Sequence, residues 1–464
     1  MEFIGRTREL ETLELEYKNG NSFVVLYGRR RIGKTALIRE FIKDKNALYF
    51  LATEETDQQN MKRFAATLAF FSGQEFIAKI NFSDWIDLFR IFADTPTPKN
   101  KILIIDEFQY IVNTNPAFTS VFQKAWDEIL SGKNIMVIIC GSYINMMTRQ
   151  VLSEKSPLYG RRTSQIRLAP LTFWEIQQHY QDKPFSELVE QYAITGGVPK
   201  YMEFFTTNNL IDNISRIVLN KNGFLYDEPA FLLNKEIKEP VNYYSIMKVI
   251  AAENHKLSEI SAAMQTTGNR ITPYLETLQN LYLVEKRTPV TEKKPEKSRK
   301  SLYIIRDVFI KFWFKFIFPY KGELELGNPN FVLERLKEHF IDSHVAFVYE
   351  DICRNIFSEL CKAKEIDFTP SRIGSYWSKN EEIDLMAVDE THHRIFAAEC
   401  KYYKDNKPVD VNVYAKLQKK CKKLGDYGIF YGLFSKSGFS NRLKDIAKEN
   451  KNLFLINGLQ ISSS

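Results

Sequence analysis

The spacing of hydrophobic and polar positions changes period several times along the chain. Four short apolar runs stand out: SFVVLY (22–27), ALYFLA (47–52), KILIIDE (101–107) and NIMVIICGS (134–142). Their continuity predicts strands buried on both faces, as in a parallel sheet covered by helices. Between them, TALIREFIK (35–43) and the stretch from about 55 to 94 carry helical spacing. Residues 160–240 read as mainly helical, with a Gly-Gly-Val-Pro break at 196–199.

The pattern then tightens. YYSIMKVIAAE, LSEISAAMQ and GNRITPYLETLQNLY predict three helices, with Ser258 capping the second and Pro273 near the start of the third. YLVEKRTPV and SLYIIRD predict two strands joined by TEKKPEKSRKS. Three helices and a basic hairpin are the layout of a winged helix. An aromatic helical segment at 308–320 leads to KGELELGNPN (321–330), read as a loop and a domain boundary. From 331 the order is helix, strand, strand, helix, strand, helix. The expected fold class is α/β, in three modules: a parallel-sheet domain with a helical lid (1–240), a winged helix (241–325) and a C-terminal α/β domain (326–464).

Composition narrows this picture. A chain of 464 residues suggests two to four domains at about 150 residues each. A hydrophobic fraction of 44% supports several cores and excludes a disordered or collagen-like chain. The net charge of +7 permits a nucleic-acid partner without demanding one. Cys140, Cys353, Cys361, Cys400 and Cys421 form no CxxC pair and do not read as a disulfide framework. Six histidines are too scattered for a zinc cluster, although His392 and His393 are adjacent, so a metal is expected on carboxylates, which favours magnesium or manganese. The polar start MEFIGRTREL lacks a signal-peptide core, and Lys311 and Lys315 break the densest apolar stretch. These features predict a cytoplasmic protein without a membrane partner.

The sharpest chemical signal lies at residues 28–35. Gly28-Arg-Arg-Arg-Ile-Gly33-Lys34-Thr35 fits the phosphate-loop pattern G-x-x-x-x-G-K-S/T and sits between a strand and a helix. The glycines let backbone N–H groups close around phosphate oxygens, and the helix N-terminus adds positive potential. Gly28, Arg29, Arg30, Arg31, Ile32, Gly33, Lys34, Thr35 and Ala36 are the candidate ATP-binding set. Lys34 is expected on the outer phosphates and Thr35 on magnesium. ILIIDEFQY (102–110) supplies the second part: Asp106 ends an apolar strand and can orient the magnesium shell, and Glu107 can activate the attacking water.

With these motifs, residues 1–240 resemble the archaeal-type ATPase family, a branch of the AAA+/STAND P-loop NTPases. FIGRTREL resembles the family's adenine-side box, which implies that Phe3, Ile4, Gly5 and Arg6 lie near the base. IICGS resembles its sensor strand and implies that Ser142 approaches the γ-phosphate. SPLYGRRT resembles its arginine segment, so the resemblance implies Arg161 or Arg162 on a terminal phosphate of its own or a neighbour's nucleotide, the latter in a homo-oligomer. TGGVPKY resembles its GxP element and implies Pro199 packing on adenine. Arg161 and Arg162 also read as surface ion-pair residues, and Ser142 as a turn cap.

A second constellation lies near the C-terminus. Asp384 in EEIDLMAV and Glu399 and Lys401 in IFAAECK fall on adjacent predicted strands. Residues two apart on a strand share a face, so Glu399 and Lys401 project together. Two carboxylates can hold a hard divalent cation, and a neighbouring lysine can orient or deprotonate a water. This region resembles the PD-(D/E)xK, restriction-endonuclease-like superfamily, specifically the domain that often follows archaeal-type ATPases, in which RIGSYW also recurs. The resemblance implies a metal set of Asp384, Glu399 and Glu350, with Gln418 and Lys419 on the phosphate side. An ion pair without catalysis is the alternative reading.

Two basic segments complete the reading. Lys293, Lys294, Lys297, Arg299 and Lys300 fall on the expected wing, and Lys416, Lys419, Lys420, Lys422 and Lys423 on a later helix. Such runs can supply salt-sensitive contacts to DNA phosphates. Asn269, Arg270 and Thr272 are placed to reach base edges. The expected function is an ATPase that couples Mg-ATP to DNA binding and to metal-dependent DNA cleavage. The alternative is a STAND-like switch with an inert C-terminal domain.

Overall fold

The computed structural model describes residues 2–462. The chain divides into two compact units. One comprises the described residues up to Leu171 together with Val198–Glu203 and Asn234–Lys238; the other comprises Thr172–Gly197, Phe204–Leu233 and the chain from Glu239 onward.

The first unit is built on five strands: β1 (Ser22–Tyr27), β2 (Asn46–Leu51), β3 (Lys101–Asp106), β4 (Ile135–Gly141) and β5 (Ser164–Arg167). All pairings are parallel, in the order β2-β3-β4-β1-β5. Alternate side chains feed two cores. Val24, Leu26, Ile102 and Ile104 pack with Leu37, Ile38 and Phe41 of helix Lys34–Ile42. Phe23, Val25, Leu103 and Ile105 pack with Phe64, Phe89, Phe118 and Phe122 on the opposite face. Burial on both faces explains the unbroken apolar strands. The register sets Leu51 beside Asp106 and Tyr27 beside Gly141, so β1 to β4 end along one carboxyl edge. In open parallel sheets that edge, where the strand order reverses, is where ligands bind.

The second unit contains helices Val241–Ala251, Leu257–Ala263 and Gly268–Asn280, followed by the antiparallel pair β6 (Val284–Arg287) and β7 (Leu302–Ile305). It also contains a mixed sheet of six strands: β8 (Arg372–Trp377), β9 (Glu382–Asp389), β10 (Arg394–Lys401), β11 (Gly428–Ser435), β12 (Leu453–Asn457) and β13 (Gln460–Ile461). Their order is β13-β12-β11-β10-β9-β8, with β10, β11 and β12 parallel and β8, β9 and β10 antiparallel. Helix Ala346–Lys362 covers one face, where Phe357 and Phe396 rings lie 4.3 Å apart. Helix Val411–Cys421 covers the other, where Leu417 joins Ile395 and Ala397.

Several local expectations change. β5 falls inside the stretch read as helical; SQIR has one buried apolar residue, Ile166, too little to announce an edge strand. Ser258 lies inside helix Leu257–Ala263 rather than capping it. Its N-terminus is held by Glu259, whose carboxylate accepts from the His255 and Lys256 N–H groups at 3.1 and 3.0 Å. Residues 321–330 are not a loop: helix Lys321–Glu325 leads almost directly into helix Pro329–Phe340, because proline at a first helical position starts a helix. RIGSYW is itself a strand, β8, so three strands rather than two precede helix Val411–Cys421.

Candidate functional sites

The phosphate loop follows β1 at the carboxyl edge of the sheet. Gly33 occupies the helix N-cap at φ 92°, a conformation that favours glycine. A side chain at Gly28 would collide with the Leu168 carbonyl and with Ile32. Lys34 is 6% exposed, and its Nζ donates to the Gly28 and Arg29 carbonyls at 2.8 and 2.9 Å. Burial draws the Lys34 ammonium below the usual lysine range, while Cys140, Glu107 and Asp106 pull the other way. A buried ammonium held only by the carbonyls of its own loop fits an anion arriving at that loop.

Beside it, Thr35 Oγ1 donates to Asp106 Oδ2 at 3.0 Å, and Tyr49 OH donates to the same oxygen at 2.6 Å. Asp106 is 1% exposed. A hydroxyl and a buried carboxylate in contact at a phosphate loop have the donor chemistry for magnesium. Glu107 adopts φ 53°. Its Oε2 accepts from Ser142 Oγ at 2.7 Å and from Gln109 Nε2. Gln109 also donates to Ser142 Oγ at 3.0 Å. Lys34, Thr35, Asp106, Glu107 and Ser142 are thus brought together.

The other residues singled out in this unit divide. Arg6 is buried, and its Nη2 donates to the Ile32 carbonyl at 3.0 Å, so it braces the loop from below. Ile4 is buried and Phe3 packs against the core that includes Leu37 and Ile38. Pro199 lies next to Gly33. Arg30 Nη2 donates to Tyr110 OH at 2.8 Å and to Tyr143 OH at 3.2 Å, and Arg29 lies over the Tyr201 ring. Neither is free in solvent.

Arg161 and Arg162 lie apart from this cluster. Thr163 bonds to Phe23, near the beginning of β1, so both arginines lie at the edge of the sheet opposite the phosphate loop. Arg161 Nε donates to both Asp127 oxygens, at 2.9 and 3.0 Å, and Arg162 lies over the Tyr159 ring. Neither reaches the chain's own nucleotide site. The structure also adds a residue that motif reading missed. Glu236, from Asn234–Lys238, accepts from the Ile144 N–H at 3.2 Å, just beyond Ser142. Burial raises the Glu236 carboxyl, and Arg30 and Lys34 are among the charges opposing that rise.

The second constellation forms on the six-stranded sheet. Asp384 Oδ2 accepts from the Cys400 N–H at 2.8 Å and from Lys401 Nζ at 3.1 Å. Lys401 Nζ also donates to Glu399 Oε2 at 2.6 Å. Burial opposes the Lys401 charge, but Asp384 and Glu399 outweigh it and hold the ammonium above the usual lysine range. In this arrangement Lys401 is a cation and not a base. Two carboxylate oxygens converge on one cation position, as a divalent ion requires. Among the described residues, however, no three His, Cys, Asp or Glu side chains are gathered at a metal position. Of the expected set, Asp384 and Glu399 have Lys401 between them, and Glu350 lies close enough to Asp384 to feel its charge.

Glu350 lies on helix Ala346–Lys362, and burial, with the charge of Asp384, pushes its carboxyl up to about 8. Arg354, one turn on, donates to the Asp384 carbonyl at 2.6 Å and to Ser375 Oγ at 2.9 Å. The helical residue that reaches the cluster is Lys420, where Gln418 and Lys419 were expected. Its Nζ donates to Glu399 Oε1 and to the Glu382 carbonyl, each at 2.6 Å. The turn of helix Val411–Cys421 that buries Leu417 and Cys421 aims Lys420 inward and leaves Lys419 exposed.

Of the residues expected at DNA, Asn269 and Arg270 are exposed on the first turn of helix Gly268–Asn280. Thr272 Oγ1 donates to the Gly268 carbonyl of its own helix at 2.9 Å, which occupies the hydroxyl. Lys293, Lys294, Lys297, Arg299 and Lys300 are all exposed. No described helix is long and apolar enough to cross a membrane.

Comparison with known proteins follows this geometry. Residues 3–205 match the family described as an ATPase domain predominantly from Archaea. Residues 313–414 match a family described as archaea bacterial proteins of unknown function. An uncharacterised protein of Methanocaldococcus jannaschii is 35% identical over 438 residues, covering 94% of this chain and 95% of its own. An uncharacterised ATP-binding protein of the same organism is 48% identical over 44 residues, or 9% of this chain and 75% of its own. A Walker-type ATPase of Pyrococcus abyssi has the same fold over 68% of this chain and 96% of its own, with a TM-score of 0.52 at 19% identity. With its parallel sheet and the phosphate loop at the sheet's carboxyl edge, the chain belongs to the archaeal-type ATPase family.

Proposed function

We propose that the protein hydrolyses Mg-ATP and couples its nucleotide state to DNA binding and metal-dependent DNA cleavage at its C-terminal site. The observation that carries the ATPase part is the contact set of Lys34, Thr35, Asp106, Glu107 and Ser142 around one phosphate loop. Lys34 would neutralise the outer phosphates, and Thr35 and Asp106 would hold magnesium. Magnesium, when bound, neutralises charge on the phosphate oxygens. Glu107 would accept the proton of the attacking water, with Ser142 and Gln109 fixing its carboxylate. A Glu107→Gln variant should bind ATP and lose at least about a hundredfold in turnover, since removing a catalytic base has effects of this order. Undiminished hydrolysis would remove Glu107 from the role.

The DNA part is supported by the convergence of Asp384 and Glu399 on one cation position. Those two carboxylates would hold magnesium or manganese, and Lys401 would orient a phosphate or water once displaced from between them. The same contacts favour a second reading. Lys401 and Lys420 already neutralise both carboxylates, as an inert ion cluster would. In that case ATP acts as a conformational ligand of a DNA-binding switch. Incubating wild type and Asp384→Ala with linear, nicked and single-stranded DNA, with magnesium or manganese and with or without ATP, separates the two. Cleavage lost in the variant supports the nuclease. Salt-sensitive binding without cleavage supports the switch.

A further inference from the structure

The wing of the winged helix is fastened to the sheet that carries Asp384 and Glu399. Val290, just beyond β6, donates its N–H to the Ser375 carbonyl at 2.9 Å and thereby adds a bond to the free edge of β8. Its side chain is 8% exposed and shares a core with Ile383, Ile395, Ala397 and Leu417. Arg372 Nη1 donates to the Glu292 carbonyl at 3.1 Å, and Trp377 Nε1 donates to the Lys300 carbonyl at 3.1 Å. The basic segment is therefore held at both ends along β8, as edge strands are commonly covered.

The face matters more than the edge. Ile395 and Ala397 share with Glu399 and Lys401 one parity of β10, and Val290 packs in the core that Ile395 and Ala397 form. The wing and the Glu399–Lys401 cluster thus lie on one face of the sheet. Helix Val411–Cys421 lies on that face too, and its Lys420 reaches Glu399. Trp377 pairs with Glu382, and Asp384 is two residues farther, about 7 Å along the strand. Lys300 is neutralised by Glu292 at 2.9 Å. Lys293, Lys294, Lys297 and Arg299 of the wing remain exposed, as do Lys416, Lys419 and Lys422 of the helix.

We propose that the wing and helix Val411–Cys421 form one phosphate-binding surface for duplex DNA, centred on the Asp384–Glu399 site, and that Asn269 and Arg270 are not its main contacts. This deepens the DNA reading above and rests on it. A duplex carries one charge per about 1.7 Å of axis, so a backbone crossing this face meets cations from both elements. Specificity for sequence is not expected, because phosphate contacts carry none.

The test is the salt dependence of binding to a labelled 24-bp duplex in metal-free buffer, using the full chain. Each lost phosphate contact lowers the slope of log K against log salt by about 0.9. The K293Q/K294Q/K297Q/R299Q variant should lose about 3.6 units of slope and, with the electrostatic part vanishing near 1 M salt, more than about a thousandfold in affinity at 0.1 M salt. K416Q/K419Q/K422Q should lose about 2.7 units, the two losses should add at one duplex per chain, and N269A/R270A should change the slope by less than about 1. Single variants Lys293→Gln and Lys297→Gln, about one unit each, serve if the quadruple variant folds poorly. An unchanged slope in the wing variants, a slope loss confined to N269A/R270A, or two duplexes bound per chain would overturn the surface. Asp384→Ala should keep the full slope. Cleavage that is absent everywhere removes the nuclease while leaving the slopes readable; cleavage that persists with unchanged wing slopes removes the surface and leaves the nuclease.

Discussion

Ser142 shows what a single side chain does at the nucleotide site. Its hydroxyl donates to the carboxylate of Glu107, which sits at φ 53° and is held otherwise by Gln109. Ser142→Ala should lower ATP turnover about tenfold, one hydrogen bond's worth, with ATP affinity unchanged. Equal losses in affinity would instead place Ser142 on the nucleotide. His344 gives a prediction of a different kind. It is fully buried, its Nε2 donates to the Ala193 carbonyl at 2.6 Å, and it packs against Phe312, Phe316 and Phe340. Burial, with Lys311 and Lys315 nearby, pushes the imidazole down to about 3. The unfolded chain takes up a proton below about 6.5 that the folded chain refuses, so stability is lost as pH falls from there toward 3. Between pH 6.5 and 4.5 the His344→Gln protein should lose about 2 to 3 kcal/mol less than wild type. Parallel pH profiles would contradict a neutral His344. Residues that act through sequence neighbours were legible from the chain alone: Gly28 to Thr35 carry their chemistry in one contiguous motif. Glu236 and Lys420 were not, because their roles depend on contacts to residues far away in sequence, at Ile144 and at Glu399.

At the scale of elements, β1, β3 and β4 were readable because burial on both faces leaves them almost entirely apolar, and β2 because its run stays apolar at the sheet edge. β5 was not, since an edge strand with one buried side chain has no such pattern. The basic segment between β6 and β7, proposed above as a wing, is the most instructive element. Its charge is plain in the sequence, but Val290, which fastens it, looks like the tail of an ordinary strand. Val290→Asp should place a carboxylate in the core with Ile383 and Leu417, destabilise the second unit by about 2 to 4 kcal/mol and open residues 291–300 to protease. Unchanged proteolysis of that segment would show that the wing is held elsewhere. Charged contacts beside it serve the same attachment. Arg287 of β6 donates to both Asp351 oxygens, at 3.0 and 3.2 Å, and burial of Asp351 is outweighed by Arg287 and Arg354, which hold its carboxyl below the usual range. Arg354 then touches the Asp384 carbonyl. A continuous chain of contacts thus runs from β6 through Asp351 and Arg354 to the Asp384 backbone.

At the scale of the molecule, the chain passes from one compact unit to the other at 171–172 and again at 197–198, 203–204, 233–234 and 238–239. The segments that return to the first unit carry Pro199 and Tyr201, beside the phosphate loop, and Glu236, beside Ser142. The nucleotide site is thus lined in part by segments of chain that continue into the second unit, which the proposed coupling would use. All of this depends on the phosphate loop being a working ATP site. Calorimetric titration of Mg-ATP into wild type and Lys34→Ala tests that directly. The account predicts one bound nucleotide per chain and an affinity at least about a hundredfold weaker in the variant, as expected when a buried charged partner of an anion is removed. Equal affinity in the two proteins would contradict it.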